Sequence, residues 1–352
     1  MRVLHVDTAH DWGGGQNQVR LLVERLAAQG VEQLCICRAG SELDRRLRSE
    51  SLPAEAVSMT SPVEFGRHIY ARARDFDIVH AHDALALRAS IIPARLRRRP
   101  LVATRRTMSR TGPRPWRRPQ RVIAVSDAVA HRLRTVGVRP ERIRVIPSAI
   151  DVDEVIGLPP ASPTLRERLL IAPDAFVVGN VGPLLPVKHQ VLIPRIAARL
   201  RNLHWVIIGE GSERPAILAA IKAHGVGPTV RLPGRLPDAR RYLQELDAFI
   251  FPSVDEALGT SVLDAMARGV PVIAADSAGP AEILRPIHDL TGVSLFPPDD
   301  ADAAAEHIVR IRDDPALRKR VIGLQNQRVR DFRIERLVES TLRVYHEVLA
   351  GR

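Results

Sequence analysis

Short apolar runs alternate along the whole chain with longer segments whose apolar positions recur every three or four residues, the pattern of parallel sheets built from βαβ units. A first series predicts strands at Arg2–Val6, Leu34–Cys37, Ile78–His80, Leu101–Thr104, Val122–Val125 and Arg144–Ile146. Between the first two, Gln16–Gln29 reads as a helix presenting Val19, Leu22, Val23 and Leu26, and Gly30 ends it. A second series predicts strands at Val177–Val181, Trp205–Ile208, Val230–Leu232, Ala248–Phe251 and Pro271–Ala274. The proline-rich stretch Gly157–Pro163 separates the two and reads as a linker. The predicted class is therefore α/β. It comprises two Rossmann-like, doubly wound domains at residues 1–156 and 164–332, followed by a C-terminal helix at 333–352 that packs back toward the first domain. Ligands of open α/β sheets collect at the carboxyl ends of the strands, so two such domains are expected to face an interdomain cleft.

Composition narrows this picture. With 352 residues, 45% of them apolar, the chain is too apolar for disorder and long enough for two cores. No run approaches the roughly 18 apolar residues of a membrane span, and neither a secretion signal nor an integral membrane segment is expected. The only cysteines, Cys35 and Cys37, are expected to remain thiols in a reducing cytoplasm, without a disulfide or a zinc site. The twelve histidines show no HExxH or paired ligand spacing, so no metal is expected.

Charge is unevenly placed. Residues 1–170 hold 29 arginines against 18 Asp and Glu, whereas the remainder is nearly balanced. Between Ala84 and Ser126 stand twelve arginines and no carboxylate, among them Arg97, Arg98, Arg99, Arg105, Arg106, Arg110, Arg114, Arg117 and Arg118. The chain has only three lysines, so a general preference for arginine explains the residue type but not the missing carboxylates. Such a run attracts phosphate groups of a nucleic acid, an anionic lipid or a phosphorylated saccharide. Nucleic acid is the poorest of the three, because Trp116 is the single aromatic of the basic segment and offers no stacking platform.

Four segments fall on predicted strand ends. Asp11-Trp12-Gly13-Gly14-Gly15-Gln16 leads from the first strand into a helix and lets backbone amides approach an anion. Gly182-Pro183-Leu184-Leu185-Pro186-Val187-Lys188 carries one of the three lysines. Gly209-Glu210-Gly211 makes a tight turn. In Phe251–Met266, a loop bears Glu256 and Gly259-Thr260-Ser261 opens a helix carrying Asp264, a helix start suited to a diphosphate with carboxylates suited to hydroxyls.

These residues resemble the family 4 (group 1) retaining glycosyltransferases of the GT-B fold, of the bacterial cell-envelope and lipopolysaccharide type. The likeness rests on Glu256, Gly259, Asp264, Ala265-Met266-Ala267, Gly269 and Pro271-Val272-Ile273-Ala274. It extends to Gly13-Gly14, His80-Ala81-His82, Ala124-Val125-Ser126, Val145-Ile146-Pro147 with Asp151, and Gly279-Pro280-Ala281-Glu282. The resemblance implies a metal-independent hexosyltransferase that uses a UDP-, GDP- or ADP-linked sugar. It places catalysis on Lys188, Glu256 and His82, and the donor on Gly13, Gly14, Gly15, Gly209, Glu256, Leu258, Gly259, Thr260, Ser261 and Asp264. In four places the chain departs from the family pattern. Pro183 stands where an arginine is usual, Asp264 replaces a glutamate, Ser148-Ala149 replaces Asn-Gly, and Arg106 takes the place of a histidine after Thr104.

The first domain of such an enzyme takes the acceptor. Its positive charge then implies an anionic saccharide, lipid-linked or of the lipopolysaccharide core, met at the inner face of the cytoplasmic membrane. Arg105, Arg106, Arg110, Arg114, Arg117 and Arg118 are the expected contact surface for acceptor and membrane. A nucleotide-sugar 2-epimerase on the same fold and a basic nucleic-acid-binding protein are the alternatives.

Overall fold

The computed structural model describes residues 1–59, 61–109, 112 and 114–351. The first stretch runs β1 (Arg2–Val6), α1 (Gly14–Ala28), β2 (Glu32–Arg38), α2 (Glu42–Ser49), β3 (Ala54–Val57), α3 (Pro62–Ala73), β4 (Ile78–Ala81), α4 (Ala84–Leu96), β5 (Leu101–Arg105), β6 (Arg121–Ala124), α5 (Asp127–Thr135) and β7 (Ile143–Val145). The second runs α6 (Val152–Gly157), α7 (Leu165–Leu169), β8 (Val177–Val181), α8 (Ile193–Ala197), β9 (His204–Ile208), α9 (Arg214–His224), β10 (Val230–Gly234), β11 (Ala248–Phe251), α10 (Thr260–Ala267), β12 (Val272–Ala275), α11 (Ala278–Thr291), β13 (Leu295–Phe296), α12 (Ala301–Asp313) and α13 (Pro315–Arg328). The chain closes with α14 (Ile334–Ala350).

Two all-parallel sheets result. One has the order β3-β2-β1-β4-β5-β6-β7 and the other β10-β9-β8-β11-β12-β13. In each, the winding direction reverses beside the first strand, between β1 and β4 and between β8 and β11. At such a switch point the flanking loops diverge and leave a crevice at the carboxyl ends. Strands β4, β11 and β12 are buried along their whole length, as parallel strands covered on both faces must be.

The contacts divide the chain into two units. The first joins residues from Met1 to Ala149 with the chain from Ile334 onward. Its core sets Leu21, Leu22 and Leu26 of α1 and Ile78 of β4 against Leu337, Val338 and Tyr345 of α14. Glu347 adds ion pairs to Arg144 at 2.8 Å and Arg121 at 3.0 Å. The second unit spans Ile150–Arg333 around one large core centred on Trp205, Phe249 and Phe251.

The boundary thus falls after Ala149, and Gly157–Pro163 is not a linker but part of the second unit. Val155 and Ala161 are buried in that unit's core. Arg268 donates to the carbonyls of Val155, Ile156 and Leu158, and Arg241 to those of Pro159 and Pro160. Prolines supply carbonyls without amides, so a proline-rich segment can be held by arginine donors as readily as it can hang free. Two short strands, β3 and β13, escaped the sequence pattern because four and two residues are too few to show a period.

Candidate functional site

In the second unit the loops after β8 and β11 meet at the switch point. The Lys188 ammonium is ion-paired with the Glu256 carboxylate, their side chains being 16% and 18% exposed, and it lies 5.2 Å from the centre of the Phe251 ring. Backbone bonds stitch the supporting loops together. Val254 N–H donates to the Val187 carbonyl at 3.1 Å and Gly279 N–H to the Glu256 carbonyl at 3.1 Å, while Ser277 Oγ donates to the Ser253 carbonyl at 2.6 Å. Glu256 also packs against Gly259, whose φ of +95° makes it the left-handed residue before α10. That helix begins with no side-chain cap and no acidic residue in its first turn, so its leading amides stay open to an anion.

Two glycines keep the neighbouring turn tight. A Cβ on Gly209 would overlap the Gly182 carbonyl oxygen, and one on Gly211 would overlap the Leu184 backbone. Only glycine lets the β8 and β9 loops approach this closely. The structure therefore brings Lys188, Glu256, Gly259, Thr260 and Ser261 together, with Gly209 holding the adjacent loops. Leu258 is a correction: its side chain is 3% exposed and belongs to the hydrophobic core, so only its backbone is available to a ligand.

Asp264 lies on the second turn of α10, half-buried, and burial raises its carboxyl to about 7. Its charged neighbours are Arg240, which favours the carboxylate, and Asp238 and Glu154, which oppose it. Arg240 pairs with Asp238 at 2.8 Å and Glu154 at 3.0 Å, and sequence reasoning missed it because it stands outside every strand-end motif.

The first unit builds a different constellation at the ends of β1, β4 and β5. His5, His80 and His82 are buried, and burial holds all three imidazoles neutral, His5 at about 3 and the others well below their usual value. The Arg106 guanidinium, which can only donate, lies 3.3 Å from His82 Nδ1 and 3.0 Å from the His82 carbonyl. His82 therefore carries its proton on Nε2 and donates it to His5 Nδ1 at 2.9 Å. By the same logic His5 donates through Nε2 to Gln33 Oε1 at 3.1 Å, and Gln33 donates to the Val23 carbonyl at 2.6 Å. His80 bonds Tyr345 Oη at 2.6 Å and Thr104 Oγ1 at 2.7 Å.

The three rings have the spacing of a metal site, the only such group among the described residues. All six ring nitrogens are nevertheless engaged with protein groups, and the Arg106 cation faces one of them. This donor set fits a hydrogen-bond relay and not a cation. His82 is corrected accordingly: it is 3% exposed with both nitrogens occupied, so it positions Arg106 and has no nitrogen to offer a sugar.

Nearby, Asp7 at the end of β1 is pushed up to about 7, by burial and then by Asp83. Gly13 precedes α1, and Gly14 and Gly15 begin it, again with no side-chain cap. Cys35 and Cys37 are free, buried thiols.

The arginines of the basic segment divide. Arg105 is a correction: it is 1% exposed, donates to the Thr107 and Ser109 carbonyls at 3.1 and 2.7 Å, and lies 5.3 Å from the Trp116 ring. Arg106 is turned inward to His82 and is likewise no part of a flat outer surface. Arg114, Arg117 and Arg118 are exposed, and Arg110 lies outside the described residues. No charge count could separate these cases, because burial follows from which loop carbonyls lie within reach.

Comparison with known proteins places the chain in a family. Residues 161–326 match the family Glycosyl transferases group 1, and residues 12–154 match Glycosyltransferase Family 4. The lipopolysaccharide core biosynthesis glycosyltransferase LpsD of Rhizobium meliloti (strain 1021) is 27% identical over 364 residues, covering 100% of both chains. LpsE of the same strain, also a lipopolysaccharide core biosynthesis glycosyltransferase, is 28% identical over 91% of this chain and 92% of its own. Among solved structures, Anabaena Alr3699/HepE in complex with UDP superposes with a TM-score of 0.84 at 21% identity, covering 99% of this chain and 100% of that one. At that identity the likeness speaks for a shared fold.

Proposed function

Because this chain belongs to the group 1, family 4 glycosyltransferases of the GT-B fold, we propose that it moves a sugar from a nucleoside diphosphate to a hydroxyl of an anionic saccharide acceptor with retention of configuration. The observation that carries this reading is the Lys188–Glu256 pair set beside the uncapped start of α10 at a sheet switch point.

In the reaction the bond between the anomeric carbon and the β-phosphate oxygen breaks, the acceptor oxygen bonds to that carbon, and its proton passes to a phosphate oxygen. Negative charge grows on the departing diphosphate, so the main catalytic task is to stabilise it. Lys188 and the Gly259–Ser261 amides perform that task, Glu256 holds the sugar hydroxyls and Asp264 the ribose. No step calls for a metal, and the occupied donor atoms of the three-histidine cluster support that view.

The arginine excess of the first unit and the naming of its relatives as lipopolysaccharide core enzymes support an acceptor of the core or a lipid-linked saccharide, met at the cytoplasmic membrane surface. No helix among the described residues is long and apolar enough to cross a membrane. UDP is the first nucleotide to try, since the HepE structure holds it.

Thermal shift against UDP, GDP and ADP tests the donor. A nucleotide at about 100 times its dissociation constant adds about 2.7 kcal/mol of stability, and no shift with any of the three refutes the assignment. Release of free nucleotide that requires added acceptor supports transfer, whereas acceptor-independent release points to the epimerase.

A further inference from the structure

We infer that the outward face of α3 and α4 docks on an anionic phospholipid bilayer, which moves the membrane contact away from the Arg105–Arg118 segment. The inference rests on the preceding reading of a membrane-borne acceptor.

Among the described residues, seven large apolar side chains are exposed in the first unit, and five of them lie on these two helices. They are Val63 at 67%, Tyr70 at 39%, Leu85 at 37%, Ile92 at 67% and Leu96 at 65%. Spacing places them on single helical stripes, interleaved with exposed arginines. On α3 the stripe reads Val63, Arg67, Tyr70, Arg74, and on α4 it reads Leu85, Arg88, Ile92, Arg95, Leu96. The opposite side of α4, with Ala86, Leu87, Ala89, Ser90, Pro93 and Ala94, is buried. From Leu85 to Leu96 the α4 stripe is about 16 Å long, and it begins three residues beyond His82, at the carboxyl end of the sheet.

The arginines on this face divide by what they touch. Some exposed arginines of the chain have carboxylate partners, as Arg46 has Glu42, Arg72 has Glu55 and Arg199 has Asp302. The side chains of Arg67, Arg88, Arg95 and Arg98 have no hydrogen bond or ion pair with a described residue. Arg97 and Arg99 instead brace the two helices. Arg97 stacks 3.8 Å from the Tyr70 ring and donates to the Tyr70 carbonyl at 3.0 Å, and Arg99 donates to the Ala73 and Arg74 carbonyls at 3.2 and 2.9 Å.

A braced pair of helices showing apolar side chains and arginines along its stripes, of which only Arg74 has a carboxylate partner among the described residues, Asp75 at 3.4 Å, suits a surface that is apolar beneath and anionic on top. The acyl boundary receives Ile92, Leu96 and Val63, and the phosphates receive the guanidinium groups. A soluble anionic ligand leaves the apolar residues without a role. The two basic regions also differ in kind, since the turn bearing Arg114, Arg117 and Arg118 buries its only large apolar residue, Trp116.

Vesicle sedimentation of the full chain tests the assignment. The protein is expected to bind vesicles of mixed phosphatidylglycerol and phosphatidylcholine over phosphatidylcholine alone. Arg88→Gln with Arg95→Gln should weaken binding by about fivefold per arginine and reduce its salt dependence. Ile92→Ser with Leu96→Ser should weaken it by roughly tenfold at low and high salt alike. Arg114→Gln with Arg118→Gln should leave it unchanged. All six positions are exposed, and unaltered circular dichroism and melting of each variant confirm that folding is intact.

The inference is overturned if both α4 double variants bind like the parent, or if the Arg114 and Arg118 variant loses as much. It is overturned equally if the parent forms a dimer that the Ile92 and Leu96 variant abolishes while vesicle binding stays constant. Vesicle binding requires no sugar transfer, so it can fail while nucleotide release on a soluble acceptor succeeds, and the reverse.

Discussion

Replacing Asp264 by asparagine separates what the fold prefers from what the site needs. The carboxyl is raised from 3.8 to about 7, chiefly by burial, so the folded protein holds a proton that the unfolded chain has already released over most of that range. Folded Asp264 thus contributes stability that is fully present below about pH 4 and lost as pH rises through about 7. The gap corresponds to about 4 kcal/mol if the site is dry, and to nearer 2 kcal/mol once solvent reaches the half-buried side chain. Asparagine keeps the shape and removes the charge. The variant should match the parent near pH 4 and exceed it by about 2–4 kcal/mol near pH 8, where the parent carries a disfavoured carboxylate beside Asp238 and Glu154.

Urea unfolding followed by fluorescence reads this out, because Trp205, fully buried in β9, is the only tryptophan of the second unit. Coincident midpoints near pH 8, or a less stable variant, refute the reasoning, since either means that the charge is not penalised. The same substitution should lower UDP affinity about tenfold by weakening the ribose contact. Gain of stability together with loss of binding is the mark of a group kept for function.

Three further outcomes follow from the geometry. Lys188→Met should cut nucleotide release by about a hundredfold or more, the effect of losing one charge-stabilising donor from a dry site, and wild-type turnover in that variant eliminates Lys188 from leaving-group stabilisation. Gly209→Ala, whose methyl meets the Gly182 carbonyl, should destabilise the second unit by about 1–3 kcal/mol in calorimetry, and an unchanged melting curve contradicts the close approach of the two turns. Nitrogen-15 NMR of the imidazoles should find His5 and His82 neutral and protonated on Nε2 down to about pH 5. With their folded values lowered, the first unit should lose stability as pH falls below about 6.5; protonation at His82 Nδ1 contradicts the direction of the relay.

The strands were legible because each carries its own evidence. Val177–Val181 and Ala248–Phe251 match the structure residue for residue, since a buried parallel strand is a continuous apolar run bounded by turns. Glu256, Gly259 and Lys188 were legible as strand-end residues, and the pairing of Lys188 with Glu256 completes a site whose members lie 68 positions apart. Arg240 gave no sign in the sequence, because its meaning lies wholly in its neighbours Asp238, Glu154 and Asp264.

By itself, then, the sequence determined where the strands run, which loops stand at their carboxyl ends and where positive charge gathers, because periodicity, turn chemistry and composition are properties of neighbours along the chain. The tertiary structure alone decided that Arg105 is buried while the Arg88 and Arg95 side chains are exposed, that three distant histidines form a directed relay under Arg106, and that a proline-rich stretch belongs to a core. Those outcomes depend on which carbonyls, rings and carboxylates converge in space. A side chain's burial and protonation are set by that convergence.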